Sequence, residues 1–259
     1  MRVLFLGETI LDVYHYGRVL GKPLKEPVLC FEEERLETFK GGVLAASEHA
    51  KSFCEVEVFS SVTIRKDRWV DVSHTRKLFE VYSKPERTPC SIPESDFVVV
   101  LDYGHGMFDR EVVESIKPKY LAVNVQTNSG NYGFNLATKW PSCDYLCVDE
   151  AEARLATQNQ YGPIEKSLEK LGEISKKVVI TLGSKGAIGT GEIKVAAFTD
   201  KIVDTMGAGD AFFAVTAVHP NLEMKDLLRL GNAAGALKSQ IVGHRTSVTK
   251  EALIEYLGT

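Results

Sequence analysis

The chain has 259 residues, with 31 Lys and Arg against 35 Asp and Glu and a net charge of −4. That length suits one large α/β domain or two small ones, and 44% hydrophobic with 25% charged residues is an ordinary globular balance. No basic run points to nucleic acid or an anionic membrane, and no apolar stretch approaches the ~20 residues of a spanning helix.

Met1-Arg2 leads into Val3-Leu4-Phe5-Leu6-Gly7, too short for a signal-peptide core, so it reads as a first strand. Further nearly continuous apolar runs predict strands at Val56–Ser60, Phe97–Leu101, Tyr120–Asn124, Tyr145–Val148 and Val178–Leu182. Helical patterns fall between and after them, at Val43–Lys51, Arg110–Ile116, Glu150–Ala156, Pro163–Ser175, Asp210–Val218, Lys225–Ile241 and Lys250–Tyr256. The alternation argues for a three-layer, doubly wound, mostly parallel α/β fold. Val13–Thr38, with Pro23 and Pro27, and Arg76–Ser83 break the rhythm as extended mixed runs, while Thr63–Asp71 reads as a short charged connection. The five cysteines (Cys30, Cys54, Cys90, Cys143, Cys147) are scattered, which favours core thiols in a reducing cytoplasm over a zinc site.

The chemistry concentrates in Asp204-Thr205-Met206-Gly207-Ala208-Gly209-Asp210, followed by the apolar Ala211-Phe212-Phe213-Ala214-Val215. Gly207 and Gly209 permit a tight turn and close backbone approach. Amides at the helix start would cradle an anion, and Asp210 in the first turn would point into the same pocket. A carboxylate beside an anion cradle suits deprotonation of a hydroxyl that attacks a nucleotide phosphate. Upstream, Thr181-Leu182-Gly183-Ser184-Lys185-Gly186 is a strand running into a glycine turn, with hydroxyls on Thr181 and Ser184 for phosphate oxygens. Asp149 and Glu152 share one helical face, where they either hold waters of a magnesium ion or complement the helix dipole. Gly17-Arg18-Val19-Leu20-Gly21-Lys22-Pro23 lacks Walker spacing and a following helix, so it is not a P-loop.

With its neighbours, the Asp204–Asp210 segment resembles the DTxGAGD signature of the ribokinase-like (PfkB) carbohydrate kinases. The opening Gly7–Gly17 and Lys40-Gly41-Gly42 look like the heptose-phosphate kinase branch. The resemblance implies a single kinase domain over 1–259, with a small, reduced β-lid from segments near 13–38 and 74–83, often shared across a homodimer. It implies Asp210 as catalytic base, Gly207, Ala208 and Gly209 amides as anion hole, and ATP with Mg2+ as cofactors. Thr181, Gly183, Ser184 and Gly186 would meet the nucleotide phosphates, with Asn232 on a helix lining the adenine pocket. Asp149 and Glu152 correspond to the family's NxxE, with Asp in place of Asn.

On the acceptor side, Asp12, Gly41 and Gly42 would face a sugar or sugar phosphate. His105 stands where the branch's DYxKG has Lys, and Ala45 where the family has a sugar-contacting Asn. Asn124–Asn128 would add polar contacts at a strand end, and carbonyls of Gly243 to Ser247 would serve a monovalent cation, as in some relatives. Ala45, which removes a directional contact, and the short middle segment keep a nucleoside or other alcohol open as acceptor, and that segment also leaves open a non-catalytic nucleotide-binding subunit with a protein partner.

Overall fold

In the computed structural model, residues 1–74, 76–88, 91–198 and 201–258 are described. Cys90, and Thr75 within the second lid segment, lie outside them. The main sheet is built from β1 (Arg2–Gly7), β4 (Glu55–Phe59), β8 (Phe97–Asp102), β9 (Tyr120–Val125), β10 (Cys143–Asp149), β11 (Ser175–Thr181), β12 (Ala187–Gly189) and β13 (Ile193–Val195). Its order is β13-β12-β11-β10-β9-β8-β1-β4, parallel from β4 to β11 and antiparallel at β12 and β13.

Strand side chains alternate between faces, and each face finds its own helices. Val3, Phe5, Val99 and Leu101 pack with α1 (Val43–Glu48), α5 (Ala208–Ala217) and α6 (Met224–Lys238). Leu4, Leu6, Val98 and Val100 pack with α2 (Arg110–Ser115), α3 (Glu150–Thr157) and α4 (Ile164–Leu171), while α7 (Lys250–Gly258) lies against α6. Phe212 and Phe213 of α5 are 3% and 0% exposed, and burying each side chain stabilises by roughly 1.5–3 kcal/mol. That anchors the helix whose first turn holds Asp210. Helix α4 ends at Leu171, four residues before the predicted end, because Ser175 already begins β11. No helix among the described residues is long and apolar enough to cross a membrane.

A second sheet stands beyond the carboxyl end of β1. It contains β2 (Thr9–Gly21), β3 (Cys30–Gly42), β5 (Val62–Asp71) and β6 (Arg76–Tyr82) in the order β3-β2-β5-β6, with β7 (Glu86–Arg87) pairing β5. The reading of Thr63–Asp71 as a charged connection fails, since β5 runs parallel to β2 in the middle of this sheet. Two of its basic side chains are withdrawn from solvent, while Arg65 stays exposed beside Asp67. Lys66 and Arg68 are each 7% exposed, and Arg68 pairs with Asp12 and Glu80. Only Glu8 separates β1 from β2, and only Ser60 and Ser61 separate β4 from β5, so two of the crossings between the sheets are very short.

Candidate active site

The predicted nucleotide-side residues meet at the carboxyl ends of the parallel strands, where open α/β sheets bind ligands, whereas Asp12, Gly41, Gly42 and His105 line neither cavity there. Gly207 caps α5 in the left-handed region (φ 73°), so the chain turns into the helix with Asp210 in its first turn. Asp210, Gly207 and Gly209 line a cavity of about 230 Å³ with Thr181, Asp149 and Glu152. Thr181, Asp149 and Gly209 also border a second cavity of about 510 Å³, which takes in Gly183, Ser184, Gly186, Phe212 and Asn232. Larger clefts of about 930 and 830 Å³ border the amino ends of β8 and β9–β11 and hold none of these groups.

Burial pushes the Asp210 carboxyl above the usual carboxylate range, with His244, Gln126, Tyr103 and Lys238 pulling the other way. Gln126, just past β9, donates from Nε2 to Asp210 Oδ1 at 2.7 Å and to Asn124 Oδ1 at 3.0 Å. Tyr103 brings its hydroxyl beside the same carboxylate. Ala208 differs from its two glycine neighbours, since its amide donates to the Thr205 carbonyl at 3.3 Å and it borders the larger cavity instead. Of the three residues, Gly207 and Gly209 border the Asp210 cavity.

The Gly183–Lys185 turn forms as expected, closed by Leu182 N–H donating to the Gly186 carbonyl at 2.7 Å. Gly186 has φ 93°, and a Cβ there would strike the Val195 carbonyl. Asn232 borders the larger cavity, but its amide nitrogen is spent on the Val195 and Ala196 carbonyls at 3.0 and 3.1 Å. It pins the cavity wall rather than offering that donor to a ligand.

Asp149 and Glu152 form a capping box. Asp149 Oδ1 accepts from Glu152 N–H at 2.8 Å, and Glu152 Oε2 accepts from Asp149 N–H at 2.7 Å. Glu152 Oε1 takes the Thr127 amide at 3.0 Å. Burial, then Asp149, pushes the Glu152 carboxyl up to about 8.

On the acceptor side, Asp12 is 3% exposed and bonded to Arg68 Nη1, with His244 Nε2 3.5 Å from its other oxygen. Gly41 makes this possible, because a Cβ there would collide with Asp12 Oδ2 and press on His244. Gly42 (φ 63°) caps α1, which keeps Ala45 buried. His105 is 8% exposed rather than a surface loop residue, and its Nε2 has no hydrogen-bond partner among the described residues. Burial, then Lys66, lowers its pKa to about 4. Lys66 lies over the Tyr82 ring at 5.0 Å. The Gly243 carbonyl, expected to serve a monovalent cation, instead accepts from Lys238 Nζ at 2.8 Å.

The pfkB family carbohydrate kinase profile matches residues 122–251, just over half of the chain. The chain belongs to the pfkB family of carbohydrate kinases. Within curated relatives, a ribokinase of Lactococcus lactis is 34% identical over 112 residues, 41% of this chain and 36% of that protein. Bifunctional protein HldE of Desulfatibacillum aliphaticivorans is 26% identical over 170 residues, 60% of this chain and 34% of that protein. The chain thus spans about a third of the length of these curated relatives. A ribokinase structure from Thermotoga maritima superposes with a TM-score of 0.76 at 16% identity, covering 99% of each chain, which shows the pfkB-type fold.

Several neighbours of these residues were not foreseen from the sequence. Glu8, fully buried, accepts the amides of Tyr103, His105 and Met107 at 2.9, 3.0 and 3.3 Å and so shapes the loop that carries Tyr103. An acid directly after a buried strand was the available signal. Arg68, His244 and Lys238 offered none, since a lone basic residue in a polar stretch or at a helix end reads as solvated.

Proposed function

We propose that this protein transfers the γ-phosphoryl group of ATP to a hydroxyl of a sugar or sugar phosphate. The observation that carries the reading is the position of Asp210, which shares one cavity with the Gly207 and Gly209 backbone and borders the Asp12 side of the crevice through His244. A base is most effective when its pKa approaches the working pH, and burial moves Asp210 in that direction. Asp210 takes the acceptor proton, Gln126 holds the carboxylate in place, and the two glycine amides hold charge developing on the transferred group. The 510 Å³ cavity, walled by Phe212 and Gly235 on one side and the Gly183–Gly186 turn on the other, suits the nucleotide.

Among the described residues no three side chains are grouped to ligate a metal directly, so magnesium would be held through water by the acids of the cavity. Asp149, Glu152 and Asp210 line one cavity, and mutual repulsion adds to the raised Glu152 pKa. Each carboxylate keeps lone pairs beyond its backbone bonds. When bound there, the ion would neutralise charge on the phosphates.

For the acceptor, the partly unpaired Lys66 beside neutral His105 favours a substrate bearing an anionic group, as in the heptose-phosphate branch. The outer face of the second sheet stacks His15, Trp69 and Phe79 across its strands, and Phe79 is 44% exposed. That face supports a lid-to-lid dimer, which sedimentation at graded concentrations tests.

The decisive experiment is transfer of label from [γ-32P]ATP to a panel of sugars, sugar phosphates and nucleosides, with Asp210→Asn as control. Label on a sugar or sugar phosphate supports the proposal. Label on nucleosides alone shifts the acceptor, and no transfer to any acceptor refutes it.

A further inference from the structure

Lys238 ends α6 with 0% of its surface exposed. A lysine is almost never buried so deeply unless its charge is compensated. Its ammonium donates to three backbone carbonyls, Met206 and Gly243 at 2.8 Å each and Ile241 at 3.4 Å. Three donors meet three acceptors, with no carboxylate in contact. Asp204 locks the arrangement from outside, accepting Met206 N–H at 3.0 Å and Gly243 N–H at 2.8 Å.

Converging backbone carbonyls are the donor set that strips and holds a bare monovalent cation. Here that set is already turned onto a side chain of the same protein. The consequence reaches the anion hole through one peptide bond. The Met206 carbonyl and the Gly207 N–H belong to one planar trans unit and point in opposite directions. With the carbonyl drawn onto Lys238, the Gly207 amide is aimed away from it, and Gly207 lines the cavity that holds Asp210.

We propose that Lys238 is a tethered replacement for a monovalent cation, a positioning residue that fixes the Gly207 amide and frees the site from dependence on potassium. The inference rests on the phosphoryl-transfer reading only for its activity readout. Neither Lys238 nor its acceptors need touch substrate.

The test compares thermal unfolding, ATP affinity and turnover in chlorides of potassium, ammonium, sodium and tetramethylammonium at equal ionic strength. The wild type is expected to behave alike in all four. Lys238→Met is expected to lose roughly tenfold in ATP affinity. It should recover in potassium or ammonium and stay impaired in tetramethylammonium, which is too large for the carbonyls. A wild type that gains several-fold in ATP affinity from potassium overturns the proposal, as does a folded Lys238→Met blind to every ion. If that variant does not fold, the wild-type comparison decides alone. If no salt supports transfer, the kinase reading fails while unfolding and ATP binding still judge Lys238.

Discussion

Gln126 and Asp210, 84 residues apart in the chain, meet at 2.7 Å through a single amide-to-carboxylate hydrogen bond. The bond stabilises the ionised acid, so it opposes the burial that raises the Asp210 pKa. Gln126→Leu should therefore move the acid limb of the kcat/KM profile to higher pH, with less activity at pH 6 than at pH 8 relative to wild type. Asp210→Asn should lose roughly 10²–10⁴ in rate above the acid limb, and the limb itself should vanish. A Gln126→Leu profile that superposes on the wild type after scaling would show that the bond does not tune the base.

Asp12 and Arg68 form a buried pair in which Arg68 also holds Glu80. Asp12→Ala leaves the guanidinium with Glu80 alone, so the expected loss lies near the low end of the ~3–5 kcal/mol typical of breaking such pairs. Urea unfolding measures it. The same variant should raise the KM for the acceptor while leaving the KM for ATP near its original value, because Asp12 borders neither nucleotide-side cavity.

Glu152 has two separable duties. Glu152→Gln keeps an oxygen for a backbone amide, so helix α3 should survive, yet the magnesium concentration for half-maximal rate should rise about tenfold. Glu152→Ala should add a cap loss of about 1 kcal/mol in stability. Magnesium titrations of both variants, beside their unfolding curves, separate the two; equal magnesium requirements in wild type and Gln variant would leave Glu152 as a cap only.

Glu8 has a folded pKa pushed up to about 7 by burial and then by Asp102, against 4.5 for an ordinary glutamate. The folded state keeps a proton that the unfolded chain releases, so this residue's contribution is fully present below pH 4.5 and falls as pH rises towards 7. The size is on the order of 3 kcal/mol. His49, lowered to about 3 by burial and then Lys238, acts with opposite sign below pH 6.5. The difference between wild type and Glu8→Gln isolates the first effect, and it should shrink steadily from pH 4.5 to 7 in chemical denaturation.

The main sheet was legible because strands buried on both faces leave continuous apolar runs, and Val3–Gly7 and Phe97–Leu101 locate β1 and β8 almost to the residue. The nucleotide side was legible for a different reason. Gly183, Gly186 and Gly207 adopt positive φ, and only glycine adopts it without strain, so the backbone geometry is written in the residue type. The acceptor side hid itself. β5 reads Thr-Ile-Arg-Lys-Asp-Arg, a surface composition, because Arg68 is buried through partners at Asp12 and Glu80 that the linear sequence cannot pair. Lys238 was invisible for the same reason, since its partners are carbonyls that every residue possesses.

The second sheet is fastened to the loops beside α5 at three points. Tyr14 Oη donates to Met206 Sδ at 2.9 Å, Asp12 stands 3.5 Å from His244, and Glu37 accepts from Arg245 at 3.0 Å. Met206 and Gly243, which adjoin these clasps, also carry the carbonyls held by Lys238. The second sheet and the loop that aims the Gly207 backbone therefore share fastenings, so under the proposed reaction a change that loosens one would loosen the other.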